Sequence, residues 1–328
     1  MPVDRSALPP ADVAAVADDI ATALAGQAPI GRLTALEQRW SWELLVEATR
    51  VAVMRPVWRL PGDEPAGLVT GSGGVGYRLP NVSTLAALTA SCAPGVRVVK
   101  PGSRSSRSKD VGPGGLAARV GLPVADSPAA VSRALAGEQF ALLDTDHLYP
   151  WLRLPEVFTV PYLAEAMHRA SFLPCSAVWK VNGVVEPDVG VHVERCRGSE
   201  VSRTLVVRGS TDLPDFVIDD VSTCGTTSMI SISEATYETW SVEPEDVGLP
   251  RVAAADLIVA RSTRVEELFA AILLGDAPAS LIQLVAMSAG AVLLQAGAVD
   301  TLAEGCATGL ELLGSGVVAA KLSRLRQG

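Results

Sequence analysis

Residues 71–100 constrain this chain more than any other stretch. A short β-like run at 68–70 breaks into Gly71-Ser72-Gly73-Gly74. Polar Asn81-Val82-Ser83-Thr84 then opens an apolar helical run, and a second β-like run at 96–99 ends on Lys100. The order is strand, loop, helix N-terminus, strand, which is the unit of a parallel sheet. Its loop aims unpaired backbone N–H groups and the positive end of a helix dipole at one spot. That suits a phosphate group.

The 328 residues, 48% hydrophobic and 19% charged, are enough for one large core or for a large and a small one. A net charge of −9 and a pI near 5.0 argue against a broad nucleic-acid surface. They leave room for a local basic run at 97–109. Cys92, Cys175, Cys196, Cys224 and Cys306 are dispersed, with no C-x-x-C pair. An odd, scattered set suits reduced thiols, so a cytoplasmic protein is expected. The N-terminal residues lack a signal-peptide apolar core, and the apolar run at 285–294 reads as too short to span a bilayer.

Residues 1–60 read as a helical domain, with a later contribution from about 155–175. Val13, Val16, Ile20 and Leu24 share one helical face, between Pro9-Pro10 and Gly26. Thr34 and Glu37 have capping-box spacing, and Leu36, Trp40, Leu44 and Val51 are expected to share a face after it. Residues 66–328 read as an α/β domain. Its expected strands are 68–70, 96–99, 140–143, 177–181, 204–207 and 216–218, with a hairpin of 227–232 and 237–242. Helices follow at 263–274, 279–295, 301–313 and 317–325, with Gly275, Gly297 and Gly314 at the first three ends.

Four motifs occur in order: Gly71-Ser72-Gly73-Gly74, Asn81-Val82-Ser83-Thr84, Lys100-Pro101-Gly102-Ser103-Arg104 and Asp219-Asp220-Val221-Ser222. On them the chain resembles the anthranilate phosphoribosyltransferases, whose strings read roughly G-T-G-G-D, N-I-S-T, K-H-G-N-R and D-E-[IV]-S. The segment from Ser241 to Leu249 and the closing helices are also similar, so the resemblance covers nearly the whole chain. It implies a small helical domain beside a larger α/β domain with a central, mainly parallel sheet. It also implies transfer of the 5-phosphoribosyl group of phosphoribosyl pyrophosphate (PRPP) to a small aromatic acceptor, a Mg²⁺ ion and a homodimer. The same fold hosts pyrimidine nucleoside phosphorylases, and a relative that binds a ligand or nucleic acid without catalysis is a further alternative.

The resemblance assigns PRPP to Gly71, Ser72, Gly73, Gly74, Asn81, Ser83, Thr84, Lys100 and Ser108. It assigns the metal to Asp219, Asp220 and Ser83, and the acceptor to Gly102, Ser103 and Arg169. Chemistry agrees: adjacent carboxylates at a strand end suit Mg²⁺ shared with substrate phosphates, and Lys100 supplies a point charge. His147, His168 and His192 show no metal-ligand spacing. The acceptor side departs from the family. Pro101 and Ser103 stand for its histidine and asparagine, and Val75 for an aspartate. Recognition of an altered acceptor, in a specialised biosynthesis, is therefore expected. Tyr149, Trp151, Phe158 and Tyr162 either cover that acceptor or pack the helical domain.

Overall fold

In the computed structural model, residues 8–53, 59–60, 65–72, 76–104, 111–153, 159–169, 175–196, 201–233 and 236–327 are described. In chain order the helices are α1 (Pro10–Leu24), α2 (Gly31–Leu36), α3 (Trp42–Val53), α4 (Val82–Ala90), α5 (Pro113–Val120), α6 (Pro128–Glu138) and α7 (Thr145–Leu148). They continue with α8 (Pro161–Arg169), α9 (Val189–Cys196), α10 (Val265–Leu274), α11 (Ala279–Ala296), α12 (Leu302–Gly314) and α13 (Val317–Leu325). The strands are β1 (Gly67–Thr70), β2 (Val98–Gly102), β3 (Val124–Ala125), β4 (Phe140–Asp144), β5 (Trp179–Gly183), β6 (Arg203–Gly209), β7 (Thr227–Ser233) and β8 (Tyr237–Val242).

The chain divides into two compact units. Residues 1–58, 145–175 and 190–199 form a helical one. Its core joins Val16, Ile20 and Leu24 of α1 to Leu33, Leu45 and Tyr162. The Tyr162 hydroxyl, on a ring wholly out of solvent, donates to the Leu33 carbonyl at 2.9 Å. Trp151 packs against the same cluster, so these two aromatics serve the helical core. Arg195 of α9 pairs with Glu165 of α8 at 2.6 Å. The Thr34–Glu37 capping box does not form, because Thr34 lies inside α2. Leu36 and Trp40 precede α3, and Val51 faces solvent, so the expected shared face reduces to Leu44 and its neighbours.

The second unit, residues 59–144, 176–189 and 200–328, holds one sheet in the order β3-β4-β2-β1-β5-β6-β7-β8. The pairs from β3 to β6 are parallel, and β6-β7-β8 are antiparallel. This is the mainly parallel α/β fold implied by the sequence. The chain runs from β1 outward through β2 to β4, then returns to the other side of β1 with β5. That reversal makes the C-terminal end of β1 the switch point of the sheet, where ligands bind in such folds.

Val69, Val98, Val181, Leu205 and Val207 turn one face of the sheet toward α4 and α11. Helix α11 is 18 residues long and apolar enough to cross a membrane by length and composition, which corrects the expectation that this region is too short. It is instead a core helix, with Leu284 to Leu293 buried. Residues 216–218 form no strand, only a bridge from Ile218 to Gly209. Gly275 and Gly297 end their helices in left-handed conformation, but Gly314 stays helical and Gly316 takes the left-handed turn.

One close approach sets the geometry of the functional end. A Cβ on Gly183, the last residue of β5, would overlap the Asp219 carbonyl. Only glycine lets the chain after residue 218 lie against that strand end. Gly183→Ala is expected to destabilise the fold by roughly 1–3 kcal/mol in urea unfolding. A cost within error of zero would contradict this contact.

Candidate active site

The C-terminal ends of β1, β2 and β5 gather most of the residues singled out in the sequence. Thr70 donates through Oγ1 to Asn182 Oδ1 at 2.7 Å, tying the ends of β1 and β5 together. Gly71 follows directly. A Cβ there would stand 3.1 Å from Asp219 Oδ2 and 3.6 Å from Ser83 Oγ. Gly71 therefore lies between the carboxylate and the first turn of α4. The Ser72 hydroxyl donates to Asp219 Oδ2 at 2.8 Å.

Helix α4 begins after Asn81, whose side chain does not cap the helix but donates to the Val111 carbonyl at 3.4 Å. Thr84 Oγ1 is buried with no hydrogen-bond partner among the described residues. Such an orphan at a helix N-terminus is the kind of group a bound oxyanion satisfies. Tyr77 packs its ring on Phe216, centroids 4.5 Å apart, which joins the loop after β1 to the segment that leads into Asp219. Arg78 Nη1 donates to the Ala260 carbonyl at 2.6 Å and so anchors the same loop.

Lys100, on β2, is 3% exposed, and its ammonium donates to the Pro101 carbonyl at 3.1 Å. Burial pulls it down to about 8 against the opposing pull of Asp219 and Asp220. Asp220 is 8% exposed, and burial pushes its carboxyl up to about 7. The Val221 N–H, at 3.0 Å, and the Ser288 hydroxyl hold it back, while Asp219 adds to the rise. Ser288 on α11 is buried and makes no well-formed hydrogen bond among the described residues. The charges of Asp219 and Asp220 thus act on the buried Lys100, and those of Asp219 and Lys100 on the buried Asp220.

Gly102 is buried, and a Cβ there would overlap Pro113 at the start of α5. The Ser103 carbonyl accepts from the Gly114 N–H at 2.8 Å. Arg104 approaches Asp144 at 3.9 Å on the same edge of the sheet. Gly73, Gly74, Val75 and Ser108 lie outside the described residues, and Arg169 is described only as the last residue of α8. Among the described residues no three His, Cys, Asp or Glu side chains form a metal cluster. Thr70, Tyr77, Asn182 and Ser288 were missed in the sequence. Only Asn182, a polar residue ending an apolar strand, carried a signal there.

Comparison with known proteins identifies the family. Residues 173–319 match the model of the glycosyl transferase family, a/b domain. An anthranilate phosphoribosyltransferase of Geobacillus kaustophilus is 31% identical over 271 residues, covering 78% of this chain and 75% of that protein. The crystal structure of anthranilate phosphoribosyltransferase from Thermus thermophilus superposes with a TM-score of 0.71 at 27% identity, over 95% of this chain and 94% of that one. The enzyme of Saccharomyces cerevisiae in complex with PRPP and Mg shares the fold, with a TM-score of 0.65 at 18% identity over 95% and 85% of the two chains. The class is thus that of the pentosyl-transferring glycosyltransferases. Within it, this chain belongs to the anthranilate phosphoribosyltransferase family.

The raised Asp220 carboxyl has a measurable consequence. Between the ordinary carboxylate range and about pH 7 the folded chain holds a proton there that the unfolded chain has released. Stability from this group therefore falls as pH rises through that window. The stability of Asp220→Asn minus that of the parent should grow from pH 4 toward 7 and then level off, in urea melts without added metal. A pH-independent difference would contradict the burial of this group.

Proposed function

We propose that this chain transfers the 5-phosphoribosyl group of PRPP to the nitrogen of a small aromatic acceptor and releases pyrophosphate, with Mg²⁺ as cofactor. The observation that carries this reading is the convergence of Lys100, Ser72, Asp219 and Asp220 at the switch point of the sheet. PRPP carries dense negative charge beside its anomeric carbon. Breaking the C1–O bond gives an oxocarbenium-like sugar, and the electron pair leaves with pyrophosphate. The acceptor nitrogen then forms the C1–N bond and loses its proton to solvent. A protein that binds the diphosphate tightly and holds the acceptor in line does most of what is needed.

The residues fit these tasks. Gly71 and Ser72 offer the backbone at the end of β1, and Asn81, Ser83 and Thr84 start α4 beside it. Gly73, Gly74 and Ser108 complete the phosphate contacts in this reading. Lys100 balances phosphate charge as a point cation. Asp219, Asp220 and Ser83 would hold Mg²⁺, which would supply positive charge against the diphosphate as it departs. This reading assigns Gly102, Ser103 and Arg169 to the acceptor, since a planar arginine fork suits a carboxylate. Pro101 and Ser103 in place of a histidine and an asparagine favour an acceptor other than anthranilate, and with it a specialised biosynthesis. A cytoplasmic homodimer is part of the same proposal.

Titration of PRPP by calorimetry should show binding that requires Mg²⁺. The double change Asp219→Asn with Asp220→Asn should abolish Mg²⁺-dependent pyrophosphate release and leave the fold intact by circular dichroism; unchanged kinetics would overturn the metal assignment. Arg169→Ala should raise the KM for the acceptor more than that for PRPP, and the opposite ordering would remove Arg169 from the acceptor pocket. The acceptor itself is found by screening aromatic acids, amines and nucleobases for PRPP-dependent pyrophosphate release.

A further inference from the structure

A charged cavity lies at the other, N-terminal end of the strands. Gln139 precedes β4 there, in left-handed conformation with φ 56°, and its carbonyl accepts from the Val98 N–H at the start of β2 at 2.8 Å. A cavity of about 220 Å³ opens beside it, lined among others by Cys92, Glu138, Gln139, Lys321 and Arg324.

Lys321 is the unusual member. It is 3% exposed, and its ammonium donates to Ser91 O at 2.6 Å and Ser91 Oγ at 2.9 Å. An ammonium carries three N–H donors. The third finds no partner among the described residues, and no carboxylate there lies within ion-pair distance of Lys321. Glu138, the acid of the cavity wall, is already held by Arg324: Nε to Oε1 at 2.8 Å and Nη2 to Oε2 at 2.9 Å. The wall therefore carries two cations and one anion, in a chain whose net charge is −9.

Capping explains part of this arrangement. Ser91 is the C-cap of α4, where a positive charge suits the negative end of the helix dipole. It does not explain why the ammonium is desolvated beside an open cavity with no carboxylate of the described residues in ion-pair contact, a costly placement unless a partner arrives. The frame is also rigid. Gln139 donates from Nε2 to Ser91 O at 3.2 Å and accepts at Oε1 from the Gly95 N–H at 3.0 Å.

We propose that this cavity is a binding site for a small oxyanion of the phosphate class, held by the Lys321 ammonium and the Arg324 guanidinium. The site is separate from the catalytic one, yet α4 runs to both. Its first turn carries Ser83 and Thr84, and its C-cap is the serine gripped by Lys321.

The test is amide NMR of the full ¹⁵N-labelled chain titrated with inorganic phosphate, without Mg²⁺ or PRPP. Saturable shifts are expected at 137–139 and 317–321, in a set distinct from any at 71–72 and 81–84. Lys321→Met should remove the first set and spare the second. Arg324→Gln, at a side chain 54% exposed, leaves the lysine cap in place and keeps the test valid should Lys321→Met unfold. It should weaken phosphate at the cavity by about tenfold. Sulfate should compete for the same amides. Acetate binding as well as phosphate would overturn the ligand class. Silence at 137–139 and 317–321 in the parent chain, or shifts unchanged in both variants, would overturn the site.

Discussion

A buried lysine beside two adjacent carboxylates governs the functional end of this molecule. Lys100 and Asp220 are each nearly removed from water, and Asp219 sits between Ser72 and the end of β5. Charges so placed are costly unless they compensate one another. The cost shows as a lysine pulled down to about 8 and a carboxyl pushed up to about 7. A ligand that brought both phosphate and a divalent cation would relieve both shifts at once, the phosphate compensating the ammonium and the metal the acids. Gly183 is required in this frame because a Cβ there would overlap the Asp219 carbonyl, and a Cβ on Gly71 would press tightly on the Asp219 carboxylate.

Much of the fold was legible because its signals are local. The apolar β runs and the hairpin stood out, as did helices ended by Gly275 and Gly297. The two-residue β3 left too short a signal to find. Residues 216–218 look like a strand because Phe216 and Ile218 are buried, but their burial comes from packing, with a single bridge to Gly209. Thr34 and Glu37 had the right spacing for a cap, yet α2 had already begun at Gly31. The same spacing at Thr301 and Glu304 does form the box. Spacing alone does not say where a helix starts.

The candidate site was partly legible for a related reason. Its glycine loop, its helix start and its acid pair are each continuous in sequence, so their order could be read. What was hidden depends on distant residues meeting. Ser288 of α11 acts on Asp220 from a distant helix, Asn182 meets Thr70 across two strands, and Tyr77 packs at a tilt on Phe216. The cavity around Lys321 was hidden more fully, since a lysine in an amphipathic last helix looks like any solvated charge until its burial against Ser91 is seen.

We propose that one diphosphate and one metal ion sit together where Lys100, Asp219 and Asp220 meet at the C-terminal end of the sheet. A crystal structure with PRPP and Mg²⁺ bound measures this directly. The expected result is carboxylate oxygens of Asp219 and Asp220 at about 2.0–2.1 Å from the ion, with the diphosphate reaching Lys100 and the amides after β1. A diphosphate lodged away from this edge, with both carboxylates free of metal, would contradict it.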